Sequence, residues 1–183
     1  MSEKGAVLEV LLAEYNCLKS EQAQRIGFRD NLLYVTLGVF GAVVSFALSA
    51  PGNYYALLVI PWVCVILGWT YIVNDEKISS IGRYIRYELA AKVKACTGHD
   101  DLETLLGWEV AHREDKHRKR RKIQQLIVDE ITFVVSGLIA LGVFWFMASN
   151  PPLGVTFLSG IELLLLIMLG VETYVYADLG KGR

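Results

Sequence analysis

The stretch ITFVVSGLIALGVFWFMASNPPLGVTFLSGIELLLLIMLGVETYVY, residues 131–176, decides the fold. It holds no Lys or Arg. Its two apolar runs, 131–148 and 155–176, each approach the roughly 20 residues that about 30 Å of hydrocarbon demands at 1.5 Å per residue. Between them, Ser149-Asn150-Pro151-Pro152-Leu153-Gly154 is short, uncharged and rich in residues that end one helix before the next begins. The stretch reads as two membrane-spanning helices closed into a tight hairpin.

The same pattern stands nearer the N-terminus. Residues 32–50 and 54–73 also lack Lys and Arg, and Ser49-Ala50-Pro51-Gly52-Asn53 joins them as a second turn. A hydrophobic share of 54% and a mean hydropathy of +0.39 put the chain above an ordinary soluble domain, which points to a membrane protein. The expected fold is all-α, with four transmembrane helices as two hairpins and cytoplasmic helical extensions. Its parts are an N-terminal cytoplasmic amphipathic helix (1–30), hairpin 1 (31–73), a cytoplasmic helical segment (74–130), hairpin 2 (131–176) and a tail (177–183).

Charge placement supplies the orientation. The formal net charge is only −1, yet the 18 Lys and Arg are strongly segregated. Four precede the first span (Lys4, Lys19, Arg25, Arg29), twelve lie in 74–130, and two follow 176 (Lys181, Arg183). The turns of both hairpins carry none. By the positive-inside rule this predicts a multi-pass protein of the inner (plasma) membrane with both termini in the cytoplasm. The first 30 residues carry Glu3, Glu9, Glu14 and Glu21, unlike a cleaved signal peptide, so the N-terminus is expected to be retained. Cys17, Cys64 and Cys96 are far apart and form no CxxC pair, which fits a reduced setting.

Outside the spans, Leu8, Leu11, Tyr15 and Leu18 recur at helical spacing, and so do Ile78, Ile81, Ile85 and Leu89. Thr97-Gly98-His99-Asp100-Asp101 reads as a stop and the next cap. A further helix is expected from Leu102 through Trp108, and Ile123, Leu126 and Ile127 then lead into the third span, so the region reads as a helical stalk. Shifted by about 100 residues, Asp30/Glu130, Phe46/Phe146, Ser49/Ser149 and Pro51/Pro151 align, as parallel repeats about the membrane normal would.

Glu162 is the sharpest single feature. It lies roughly 12 Å into the fourth helix at 1.5 Å per residue, near the bilayer middle. No basic residue exists in any span to pair with it, and a charged side chain at mid-helix costs about 2.5–3.5 kcal/mol on insertion scales. Two readings stand: a proton or cation site facing the bundle interior or a subunit interface, or a neutral carboxyl hydrogen-bonded to Ser45, Ser136, Thr36 or Trp69 as packing glue. Glu172 falls near the cytoplasmic interface, where water can reach it.

Pro61 removes an N–H donor and clashes with the carbonyl of Leu57, which predicts a kink in the second span, a hinge or a packing device. Gly38, Gly41, Ala42 and Ser45 in the first span, and Ser136, Gly137 and Ala140 in the third, permit close helix approach within the chain or between copies. Tyr54, Tyr55, Trp145, Tyr174 and Tyr176 stand near span ends as an interfacial belt.

Lys116, Arg118, Lys119, Arg120, Arg121 and Lys122 form a basic cluster just before the third span, each worth about 1 kcal/mol against anionic lipid headgroups. Without interleaved aromatics or a Gly-rich cradle, the run does not point to nucleic acid. Glu109 and His112 make a lone Glu-x-x-His, too little for a di-metal site. No hydrolase, P-loop or dinucleotide motif occurs, so neither an enzyme nor a cofactor is expected.

Glu14-Tyr15 with Leu18, Arg25-Ile26 with Arg29, Ser45-Phe46-Ala47-Leu48, Asn74-Asp75 with Ile78, Ile81-Gly82, Tyr84-Ile85-Arg86 and Gly107-Trp108-Glu109 together resemble a family of small, uncharacterised bacterial four-pass integral membrane proteins. That resemblance covers most of the chain and brings no catalytic residues. By architecture alone the chain also resembles SLATT-type membrane effectors of antiphage defence, which implies oligomerisation and membrane permeabilisation. The leading expectation is therefore an oligomeric membrane scaffold or pore-forming effector, a homo-oligomer whose cytoplasmic helices sense, assemble or take a protein partner. The alternative is a small proton-coupled transporter or ion channel using Glu162.

Overall fold

The computed structural model describes residues 3–98 and 117–177. Within them every regular element is helical. Helix α1 (Glu3–Ser49) is followed by a 3-10 turn (Asn53–Leu58) that leads into α2 (Val59–Tyr84). A π turn (Ile85–Leu89) and α3 (Ala90–Thr97) complete that helix. Helix α4 (Arg118–Asp129) passes through a second π turn (Glu130–Val135) into α5 (Ser136–Met147), and α6 (Leu153–Tyr176) follows. Four continuous helices, Lys4–Ser49, Asn53–Thr97, Lys119–Met147 and Leu153–Tyr176, are long and apolar enough to cross a membrane, as the hydropathy pattern predicts.

The turns are built as their residues dictate. Gly52 adopts φ 99°, the left-handed conformation that favours a residue without Cβ. Asn53 then donates its side-chain amide to the Phe46 carbonyl at 3.2 Å and to Ser49 Oγ at 3.0 Å. In the other hairpin the Pro152 carbonyl accepts from the backbone N–H groups of Val155 at 2.9 Å and Thr156 at 3.1 Å, which starts α6. Gly98, at φ 71°, returns its N–H to Lys94 O and closes α3 where a stop is predicted. His99, the predicted helix from Leu102 to Trp108, the Glu109/His112 pair and Lys116 lie outside the described residues.

The chain divides into two compact units. In the first, the N-terminal part of α1 lies against residues 74–97. Leu11, Ile85, Leu89 and Val93 form its buried core, flanked by Leu8, Tyr15, Leu18, Ile81 and Tyr84. The two amphipathic stripes of the sequence therefore meet each other. The Tyr84 hydroxyl donates to Glu14 at 2.6 Å, Gln22 donates to the Ile78 carbonyl at 3.1 Å, and Arg25 donates to Asn74 at 3.4 Å.

The second unit holds residues 29–73 and 121–177, with all four apolar segments. Half of the α2 apolar window is buried, against 17% for α1, so α2 is the central helix and α1 a peripheral one. Leu57, Leu58, Ile60, Cys64 and Val65 of the second segment pack with Ala140, Leu141 and Phe144 of α5 and Leu166 of α6. Deeper toward the charged end, Leu32, Tyr71, Ile72, Phe133, Val134 and Leu169 form a second cluster. Without a hydrophobic drive inside lipid, such contacts rest on dispersion and close fit.

Candidate functional site

Helix α6 buries one stripe only: Ser159, Glu162, Leu166, Leu169 and Thr173. These steps of three and four residues place all five on one face, and the rest of the helix is largely exposed. The stripe fixes where Glu162 points. It is 1% exposed and faces the interior of the bundle, not the lipid side.

Neither carboxylate oxygen of Glu162 meets a hydrogen-bond partner among the described residues. The sequence names four candidate partners, and none serves. Thr36 donates its hydroxyl to the Leu32 carbonyl at 2.7 Å, and Ser136 donates to Ile131 O at 2.7 Å. Ser45 is exposed, and Trp69 is packed among apolar side chains. Ser159, one turn back on the same stripe, donates to Thr156 O at 2.9 Å. The indole N–H of Trp62 is the polar group that acts on Glu162, without completing a hydrogen bond.

Two apolar layers separate Glu162 from the charged end of this unit. Leu166 seats against Gly137 and Leu169 against Gly68: an added Cβ on either glycine would lie 2.8 Å from the leucine. Cys64 closes the first layer, 3.4 Å from the same position on Gly137, and Phe133 closes the second. Beyond these layers lies a polar group that sequence reasoning missed. Gln125 donates to the Tyr71 hydroxyl at 3.3 Å, and Asp129, 6% exposed, acts on the same hydroxyl. The Arg29 guanidinium lies 5.7 Å over the Tyr71 ring and pairs with Asp30 at 3.0 Å. Glu130 places Oε2 against the bare backbone of Gly170 in α6.

The π turn begins at Glu130 and has Asp129 as its cap. The Ser136 hydroxyl back-bonds five residues to Ile131 O, which supports the wider turn. Asp129, Phe133, Val134 and Gly137 all turn inward along it.

No known protein family, curated protein or solved structure matches the chain.

The remaining sequence candidates fall apart from this centre. Pro61 is fully buried but stands third in α2, immediately after the 3-10 turn, and not in the middle of a regular helix. The carbonyl four residues back, that of Leu57, already accepts from the Val59 N–H, so Pro61 stands just past a junction between two helix types within the continuous helix Asn53–Thr97. Glu172 is half-buried and lies off the inward stripe. Lys119, Arg120 and Arg121 are exposed in the first turn of α4, where cations oppose the helix dipole, so the run is not there to stabilise the helix.

Gly137 and Ala140 of the third-span set are buried within the chain. Gly38, Gly41, Ala42 and Ser45 are all exposed, and nothing lies within 4 Å of an added Cβ at Gly38 or Gly41. Among the described residues, no group of three His, Cys, Asp or Glu could hold a metal ion.

Proposed function

We propose that this chain is a small ion-coupled membrane protein, a carrier or channel for protons or cations, with Glu162 as its intramembrane binding group. The observation that carries this reading is a carboxyl 1% exposed, midway along an apolar helix, aimed into the bundle with both oxygens unpartnered. A carboxyl serving as packing glue would be hydrogen-bonded, since burying a polar group without a partner is costly. The charge asymmetry supports both termini and the Tyr71–Asp129 polar group lying on the cytoplasmic side.

The test is uptake in liposomes reconstituted with the purified protein and loaded with a pH-sensitive dye, under imposed proton and alkali-cation gradients. Glu162→Gln should abolish flux while leaving fold and yield intact, because Gln is isosteric and Glu162 has no hydrogen bond to lose. Wild-type flux in that variant would remove the basis of the reading.

The bare small-residue face of α1 favours a second reading, an oligomeric membrane scaffold or pore-forming effector of the kind the antiphage resemblance implies. Gly38, Gly41, Ala42 and Ser45 leave a smooth strip on the least enclosed of the four helices, a surface on which a second copy could approach closely. This reading expects a defined oligomer in nanodiscs, lost on Gly41→Leu, and conductance in planar bilayers. The exposed Lys and Arg of α4 would then seat against anionic headgroups.

A further inference from the structure

We infer that the species Glu162 binds is the proton itself, and not an alkali or divalent metal cation. This rests on the ion-coupled reading above and sharpens it to a ligand.

The donors and acceptors around this single carboxyl decide between a proton and a metal cation. Hard cations need a shell of oxygens: six to eight for calcium, an octahedron for magnesium, and rings of carbonyls for potassium in filters. Glu162 has two oxygens, and the other buried carboxylate among the described residues, Asp129, stands with the Tyr71 hydroxyl at the charged end. The hydroxyl of Ser159 is committed to the Thr156 carbonyl, and that of Thr173 to Leu169 O. Continuous α-helix around Glu162 spends its own carbonyls on the ladder. The next residue inward on the stripe is Leu166, fully buried and seated on Gly137 beside Cys64.

Among the described residues, the polar group that acts on Glu162 is the Trp62 indole, a donor only. A donor turned toward the site repels a metal cation but suits a carboxyl in either state, since the carbonyl oxygen of the neutral acid and the carboxylate both accept. A proton needs one acceptor oxygen and brings no shell with it.

The other titratable and charged groups of this unit stand elsewhere. Helix α5, which packs against α6, has none. The π turn and its cap offer Glu130 and Asp129, at the far side of the Leu166 and Leu169 layers, with Asp129 beside the Tyr71 hydroxyl. Helix α2 offers Cys64, beside Gly137, and Tyr71, in the polar group at the charged end. Helix α1 offers Arg29 and Asp30 at that same end and Tyr34, which is exposed. Tyr54 and Tyr55 stack on each other beside Phe144 near the hairpin turn. On α6 itself, Glu172, Tyr174 and Tyr176 lie off the buried stripe. None of these completes a cation shell around Glu162.

Infrared difference spectroscopy on the full chain in lipid bilayers reads the carboxyl directly. The expected result is a protonated-carboxyl stretching band that titrates with bulk pH and shifts in heavy water. It should be absent in Glu162→Gln, displaced in frequency in Trp62→Phe, and indifferent to saturating sodium, potassium or calcium at fixed pH. Glu162→Asp, which keeps a carboxyl, should keep a band and so controls for misfolding of the Gln variant. Loss of the band on adding a metal cation at fixed pH overturns the inference while leaving the ion-coupled reading intact. Spectra with no Glu162-dependent component at any pH overturn it as well, and if flux also survives Glu162→Gln, both readings fall.

Discussion

Leu166 of α6 rests on Gly137 of α5 so closely that its two Cδ atoms lie 2.8 and 2.9 Å from where a Cβ on that glycine would stand. Both residues are buried, and the layer they make is the first barrier between Glu162 and the charged end of the bundle. Gly68 repeats the device one layer on, with Leu169 at 2.8 Å and Phe133 Cβ at 3.1 Å. Helix α6 thus reaches its spacing from both α5 and α2 because a side chain is missing on each.

Adding that side chain should be costly in an ordered way. Gly137→Ala is expected to destabilise the protein by about 1–3 kcal/mol, the usual range for overpacking. Gly68→Ala should cost more than Gly137→Ala, because Phe133 Cβ is tied to backbone and cannot rotate aside as a leucine methyl can. Gly41→Ala should cost nothing and gain up to about 1 kcal/mol from helix propensity, since nothing lies within 4 Å of its Cβ position. Unfolding of the three variants in mixed detergent micelles gives the ranking, and equal losses at Gly41 and Gly68 would contradict it.

The same layer shields a thiol. Cys64 has no exposed surface, whereas Cys17 is exposed. In a background with Cys17 and Cys96 replaced by serine, a small membrane-permeant maleimide should leave Cys64 unmodified over a period in which Cys17 in the native chain reacts fully. Leu166→Ala opens a cavity beside it, at a cost in the range of about 2–5 kcal/mol, and should make Cys64 reactive. Rapid modification of Cys64 with Leu166 in place would show that the layer is not closed.

Much of the architecture was legible in the sequence because lipid imposes a single strong rule. Residues 131–176 must satisfy every backbone group internally over a known thickness, so length, absence of Lys and Arg, and Pro151-Pro152 suffice to define a hairpin. The interior position of Glu162 follows from the same rule. Its freedom from hydrogen bonds does not, because Thr36 and Ser136 could reach a carboxyl on paper and only packing shows them bonding to their own helices. Asp129 was missed for a related reason. At the end of the run RKRRKIQQLIVD it reads as a solvated charge, and nothing local announces the π turn that begins beside it or that the face of Asp129, Phe133 and Gly137 is the inward one. Pro61 shows a different kind of detail. Its spacing from the turn suggests mid-helix, but the six residues before Val59 wind as a 3-10 turn and move the start of the α-helix up to it.

That relocation has a consequence for Pro61→Ala. A proline at mid-helix removes a hydrogen bond, so its replacement normally stabilises by restoring one; at this junction the Leu57 carbonyl that would accept it already takes the Val59 N–H, so little is restored. The substitution should shift stability by less than about 1 kcal/mol, in the direction of loss, through the higher entropy of the unfolded chain. It should also leave ion flux unchanged. A clear gain in stability, or loss of flux, would return Pro61 to the role of a strained hinge.

In the unit made by residues 3–28 and 74–97, one charged contact has a readable pH dependence. Lys92 donates to the Tyr84 hydroxyl at 3.1 Å and lies 5.4 Å over the same ring, while Tyr84 donates to Glu14 at 2.6 Å. The hydrogen bond to Tyr84 and its charge, with smaller help from Glu14 and Glu88, hold the Lys92 ammonium above its ordinary value of 10.5. A group whose folded value is raised contributes stability that is complete below the unfolded value and is lost as pH climbs through the folded one. The contact is therefore intact through neutral pH and fails only on the alkaline side of that ordinary value of 10.5. With lysine Cε labelled with carbon-13, the Lys92 resonance should titrate later than those of the other lysines. Tyr84→Phe removes the acceptor of Lys92 and the donor to Glu14 together, so it should return Lys92 to the lysine average and make this unit less stable at neutral pH. If the Lys92 resonance titrates with the rest in the native chain, the contact does not hold charge in solution.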